Sequence, residues 1–176
     1  NNQAEERMKV VTVEEMRHLE AASDEAGHTY TAMMEQAGQA VAQAIVSRRK
    51  VQAKKILLLI GPGNNGGDGF VAARHLCDDA DVTVLFIGDE AKLSKESAIQ
   101  WKRIESNIKV QIIYDIDEID LSDFDIIIDA MLGVGSKGEL KEPLRHIAQK
   151  VNAASAFTVS VDIPTAIPLE PLIKIF

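Results

Sequence analysis

At 176 residues, with 46% hydrophobic and 26% charged side chains, the chain suits one soluble globular domain, large enough to bury about 70% of its unfolded surface. A formal net charge of -8 argues against non-specific nucleic-acid binding, which needs clustered Lys and Arg, but leaves a local phosphate site open, because backbone amides and helix dipoles bind phosphate without net charge. One cysteine, Cys77, excludes an internal disulfide framework, no apolar run approaches the roughly 18 residues of a membrane span, and no secretory signal pattern opens the chain, so a cytoplasmic protein is expected, with no nucleic acid and no membrane among its partners.

Residues 1–7 are polar and expected to fray. Thr12-Val13-Glu14-Glu15 carries a capping box, Thr12 as N-cap and Glu15 at N3, and predicts a first helix with Met16, Leu19 and Ala22 or Ala26 as its apolar stripe and Gly27 as its stop. A second helix is predicted from Thr29 or Thr31 to about Arg49. Met33, Met34, Ala37, Ala40, Val41, Ala44 and Ile45 form its apolar face, and Gly38 marks a close helix contact. Two helices ahead of the first strand read as a packing layer, or as a lid or dimer surface.

Ile56 to Ile60 is five branched aliphatic residues in a row, the signature of a strand buried on both faces. Gly61 to Gly69 holds five glycines, two asparagines and an aspartate, which predicts a glycine-rich turn, with a helix resuming at Phe70, Val71, Ala73, Leu76 and Cys77. Val82 to Ile87 is a second strand, followed by a helix from Ser94 to Glu105 and a third strand from Val110 to Tyr114. Asp117 to Asp120 reads as solvated acidic linker. Phe124 to Ala130 is a fourth strand ending at Asp129. Met131 to Gly138 is a second glycine-rich turn, Pro143 to Lys150 a helix, and Phe157 to Val161 a fifth strand closed by Asp162-Ile163-Pro164-Thr165. Strands alternating with helices predict an α/β fold, a mainly parallel sheet with helices on both faces and two helices in front.

Gly61-Pro62-Gly63-Asn64-Asn65-Gly66 after a strand matches the G-x-G-x-x-G pattern. Glycines let a ligand approach the backbone, and free amides at a helix start favour an anion; a tight strand-to-helix crossing is the plainer reading of the same residues. In a parallel sheet every strand presents the same end to one rim. Asn64, Asn65 and Asp68, then Asp129, then Asp162 and Thr165 can therefore converge there.

These residues resemble the YjeF N-terminal domain family, whose enzymatic members are NAD(P)H-hydrate epimerases. The resemblance rests on Gly61 to Gly69, on Asp129-Ala130-Met131-Leu132-Gly133-Val134-Gly135 and on Val161-Asp162-Ile163-Pro164-Thr165, and runs from the Met16 helix to Thr165. It implies a three-layer α/β/α Rossmann-like fold and interconversion of the R and S epimers of hydrated NADH or NADPH. It further implies that Asn64, Asn65, Gly66, Gly67 and Asp68 contact that dinucleotide, with Gly133, Val134, Gly135, Ser136, Lys137, Gly138, Glu139 and Asp162. One potassium ion would be held by Asn65, Asp129 and Thr165, an all-oxygen set that suits a hard cation. A NAD(P)H-hydrate dehydratase would be the functional partner, and the protein a homodimer. The family's usual serine-glycine after Asp-Ile-Pro is Thr165-Ala166 here, which keeps the hydroxyl. Pro168 to Phe176 does not look like the family's remaining strands, so a single domain, truncated or discontinuous after about residue 166, is expected.

Reversible opening of the hydrated ring needs a base for its hydroxyl proton. Asp162 is the first candidate and Asp68 the second. Two other functions fit the same pattern: a dehydrogenase with Asp89 as the ribose-binding acid, and a non-catalytic binding or dimerisation module of the same fold.

Overall fold

Ile56 to Ile60 form the centre of a parallel sheet, all five side chains fully buried. A computed structural model describes residues 11–136 and 138–165. The elements are α1 (Val13–Glu25), α2 (Tyr30–Arg48), β1 (Lys55–Ile60), α3 (Asn64–Leu76), β2 (Asp81–Phe86), α4 (Lys95–Glu105), β3 (Val110–Ile113), β4 (Ile126–Ala130), α5 (Leu144–Ala153) and β5 (Phe157–Ser160). The strands lie in the order β3-β2-β1-β4-β5, every pair parallel. The order reverses between β1 and β4, the place where open α/β sheets bind ligands.

Alternation along β1 divides the core between two layers. Ile56, Leu58 and Ile60 pack with Phe70 and Leu76 of α3, Trp101 and Ile104 of α4, and Ala42 and Ile45 of α2. Leu57 and Leu59 turn to the other face, toward Ile127, Ile147 and Val151. An apolar run with no polar alternation is what a strand covered on both sides requires.

The glycine-rich segment is helix, not turn. α3 begins at Asn64 directly after its N-cap Gly63, so Asn-Asn-Gly-Gly-Asp-Gly forms its first turns. Glycine disfavours helix by about 1 kcal/mol per residue, and packing overrides that here. A Cβ on Gly66 would lie 1.8 Å from the Gly61 carbonyl oxygen, one on Gly67 2.5 Å from Met34 Sδ, and one on Gly69 2.8 Å from Ala130 Cβ. Only glycine lets α3 sit this close to β1, β4 and α2. Gly38 of α2 answers from the other side, its Cβ position 2.4 Å from Val71 Cβ, as its place inside the helix suggests.

The capping box at Thr12 and Glu15 is present. The stripe that it introduces is not a packing face, however: no residue of α1 is buried, and Met16 and Leu19 are exposed. On α2 the buried residues are Met34, Gly38, Ala42 and Ile45, a narrower stripe than the sequence suggests, with Ala37 and Ala40 left in solvent. The acidic segment holds two single-turn 3-10 helices, Ile116–Glu118 and Leu121–Asp123, and Asp117 pairs with His146 and Lys150 of α5. Among the described residues no helix is long and apolar enough to cross a membrane.

Because a methyl group at Gly66 would run first into the Gly61 backbone, Gly66→Ala is expected to destabilise the fold by about 3 kcal/mol in urea denaturation. Gly63→Ala, whose Cβ would meet nothing within 4 Å, is expected to cost about 1 kcal/mol or less.

Candidate active site

The helix start faces open space. No side chain caps α3 at Gly63, so its first amides have no acceptor inside the helix. Together with the helix dipole they make an anion-favouring end. Asn64 is exposed there and Asn65 half-buried. Gly66 and Gly67, by contrast, spend their missing side chains on protein contacts rather than on a ligand.

Behind the helix start, a chain of hydrogen bonds ties three strand ends together. Buried Asp129, next to last in β4, accepts from Met131 N at 3.2 Å and from the Thr165 hydroxyl at 2.8 Å through Oδ1, and from Thr165 N at 2.7 Å through Oδ2. Leu132 N donates to the Thr165 hydroxyl at 3.2 Å, and Leu132 O accepts from Asn65 Nδ2 at 3.0 Å. The Leu132 peptide thus bridges Asn65 and Thr165. Asn65 Oδ1 is buried without a hydrogen-bond partner. A buried amide oxygen left unpaired calls for an explanation. The oxygens gathered here, an amide, a carboxylate and a hydroxyl, fit a hard cation.

Asp162 and Asp68 stand in front of this network. Asp162 follows β5 with φ 67°, the left-handed region that aspartate and asparagine tolerate better than other residues. Its Oδ2 accepts from Val134 N at 2.8 Å. Gly133 is wedged between: a Cβ there would lie 2.8 Å from Asp162 Oδ2 and 3.4 Å from Asn65 Cβ. Asp68, on α3, is pushed up to about 7, first by burial, then by the charges of Asp162 and Glu20. A carboxyl that titrates near neutrality can both take and give a proton.

Of the residues expected in the second loop, Gly133 and Val134 meet Asp162, and Ser136 closes a turn by donating to Gly133 O at 2.7 Å. Gly135 lies beneath Arg17 of α1, whose Nη2 is 3.7 Å from its Cβ position. Gly138 adopts φ 86° in open space. Glu139 points into solvent and reaches Arg145 at 3.9 Å. Lys137 and Ala166 lie outside the described residues. Asp89, the expected ribose-binding acid of the dehydrogenase reading, caps a single-turn helix through Ala91 N at 3.0 Å and lies 3.7 Å from Lys92.

Two contributors were missed in the sequence: Glu20, which acts on Asp68, and Arg17, which lies over the Gly133–Gly135 segment. The one sequence signal for them is their i, i+3 spacing on α1, beside its apolar stripe.

Burying Asp68 has a sign that can be measured. Unfolded, it ionises near 3.8, and folded, at about 7; across that window the folded state holds the extra proton, so stability falls as pH rises and levels off above 7. Asp68→Asn is expected to stabilise the protein at pH 8 by on the order of 3 kcal/mol and to leave it unchanged at pH 3.5, read from urea denaturation at both values.

Comparison with known proteins shows what the chain as a whole is similar to. A bifunctional NAD(P)H-hydrate repair enzyme Nnr from Methanopyrus kandleri is 38% identical over 165 residues, covering 89% of this chain and 33% of that protein. An NAD(P)H-hydrate epimerase from Nitrosopumilus maritimus is 34% identical over 161 residues, covering 89% of this chain and 74% of that protein. The chain spans about a third of the length of the bifunctional relatives that it matches. Among solved structures, that of the yeast protein ynu0 superposes with a TM-score of 0.66 at 27% identity, over 90% of this chain and 71% of that one. The model of the YjeF-related protein N-terminus family matches residues 30–170, and on that coverage the chain belongs to the YjeF-related N-terminal family.

Proposed function

We propose that the chain is an NAD(P)H-hydrate epimerase, which interconverts the R and S epimers of hydrated NADH and NADPH. A dehydratase that consumes one epimer is the partner such a reaction serves. The observation that carries the proposal is the meeting of Asp162, Gly133 and Asn65 at the rim, with Asp68 beside them, in a chain that shares 34% identity with an NAD(P)H-hydrate epimerase along most of its length.

In the hydrated ring a hydroxyl sits on the carbon next to the ring nitrogen. Asp162 takes the hydroxyl proton, the carbon–oxygen bond becomes a carbonyl, and the carbon–nitrogen bond breaks with its electron pair going to nitrogen. Protonated Asp68 supplies the proton that nitrogen then needs. Closure onto the opposite face of the carbonyl returns both protons and gives the other epimer, with nothing consumed. The open amides of α3 hold the diphosphate, as a helix N-terminus does.

A potassium ion fits Asn65 Oδ1, Asp129 and the Thr165 hydroxyl, and the unpartnered Asn65 Oδ1 is the observation that supports it. When bound, it supplies positive charge to a rim that carries Asp68, Asp129, Asp162 and Glu20. A homodimer is supported by the exposed stripe of Val13, Met16 and Leu19, and a cytoplasmic setting by the lone cysteine.

Asp162→Asn keeps a residue that tolerates the left-handed backbone but removes the base. It is expected to lower kcat about 10²–10⁴-fold with dinucleotide affinity little changed, measured by chromatographic separation of the epimers; turnover at the parent rate would eliminate the assignment. With Asp68 as the acid, kcat is expected to fall as pH rises past about 7. That limb should disappear in Asp68→Asn.

A further inference from the structure

Beside the polar rim lies a cleft of about 590 Å³ that the proposed chemistry leaves unused. It opens at the carboxyl ends of β1 to β4, on the α5 side of the sheet. Phe86, Ile87, Ile116 and Ile147 form its apolar floor, and Tyr114 stands at its mouth. Its volume falls within the range of small-molecule sites, which combine an apolar lining with a few polar groups.

Three features select the occupant. First, the cleft is continuous with the reaction site. Pro62 lines it and immediately precedes the N-cap of α3, and Leu132 lines it while accepting the Asn65 side-chain amide at 3.0 Å. The open amides of α3 therefore lie between the cleft on one side and Asp162 and Asp68 on the other. Second, Tyr114 is 60% exposed although aromatic, and it is held edge-on to Phe86, ring centroids 6.4 Å apart at 77°. That leaves a flat, positioned face on which a heteroaromatic base can stack. Third, Asp115 at the same mouth commits Oδ1 to Asp117 N at 2.9 Å, and a carboxylate has lone pairs to spare for a sugar hydroxyl. A molecule with a base and ribose at one end, a diphosphate in the middle and a reactive ring at the other matches that sequence of surfaces.

We infer that the cleft is the adenosine subsite of the hydrated dinucleotide, with the adenine stacked on Tyr114. The inference rests on the epimerase reading for its ligand, and the probes are chosen to separate the two. Calorimetric titration of the chain with adenosine 5′-monophosphate reads the cleft together with the phosphate-binding amides, and nicotinamide mononucleotide reads the reaction end together with the same amides. Tyr114→Ala should weaken adenosine 5′-monophosphate about tenfold or more and leave nicotinamide mononucleotide unchanged. Leu144→Trp, which fills the cleft from α5, should do the same, and Asp162→Asn should leave adenosine 5′-monophosphate binding intact. Tyr114 is exposed enough that its truncation spares the fold, checked by an unchanged urea midpoint. No binding of adenosine 5′-monophosphate by the parent chain, or equal binding by Tyr114→Ala and Leu144→Trp, overturns the subsite. Selective loss in those two variants supports it, even in a chain that fails to epimerise hydrated NADH, in which case only the reaction assignment falls. Normal turnover combined with indifference to both variants does the reverse.

Discussion

The structure depends on one close approach, that of α3 to the carboxyl ends of β1 and β4. Gly66 rests on the Gly61 carbonyl, Gly69 on Ala130 and Gly67 on Met34 and Ser97, at separations that leave no room for a Cβ. The helix therefore starts one residue after the loop that leaves β1, with its dipole and unsatisfied amides aimed at the rim. It also delivers Asn65 and Asp68 over the end of β4, where the chain continues to Leu132 and Gly133. A helix begun with ordinary residues would stand further off. Asn65 would then lose Leu132 O, and Gly133 would no longer sit between Asn65 and Asp162.

The second constraint is charge. Asp68, Asp129, Asp162 and Glu20 crowd one small region, and only Asp129 is well satisfied, by three donors from Met131 and Thr165. Asp68 responds by titrating near neutrality. The unpaired Asn65 Oδ1 lies in the same neighbourhood. The proposed cation and the proposed pair of proton-transferring carboxyls would each relieve or use this crowding, which would weaken a purely structural core. Arg17 of α1, over Gly135, brings a positive group to this side of the rim. It rides on a helix with no buried residue.

Much of this was legible in the sequence, for identifiable reasons. The central strands could be read because β1 carries an unbroken aliphatic run and β2 and β4 are largely apolar, as a parallel sheet with covered faces demands. The convergence of Asn65, Asp129, Asp162 and Thr165 followed from the same parallelism, since strand ends that point one way share one rim. The start of α3 was not legible: intrinsic preference argues against Gly66, Gly67 and Gly69 in a helix, and only the neighbouring backbone explains them. The exposed stripe on α1 reads like any amphipathic helix until its surroundings are known. The cleft beside Tyr114 draws its lining from loops after four strands and from α5, so no local pattern announces it.

The central claim is that this rim epimerises hydrated nicotinamide dinucleotides. It is tested most directly by giving the unaltered chain pure R-epimer of hydrated NADH with potassium and an S-specific dehydratase, and following the return of reduced-nicotinamide absorbance. The account predicts recovery faster than spontaneous epimerisation, in proportion to the amount of chain added. Recovery at the spontaneous rate, with the dinucleotide bound, would contradict it and leave a binding module.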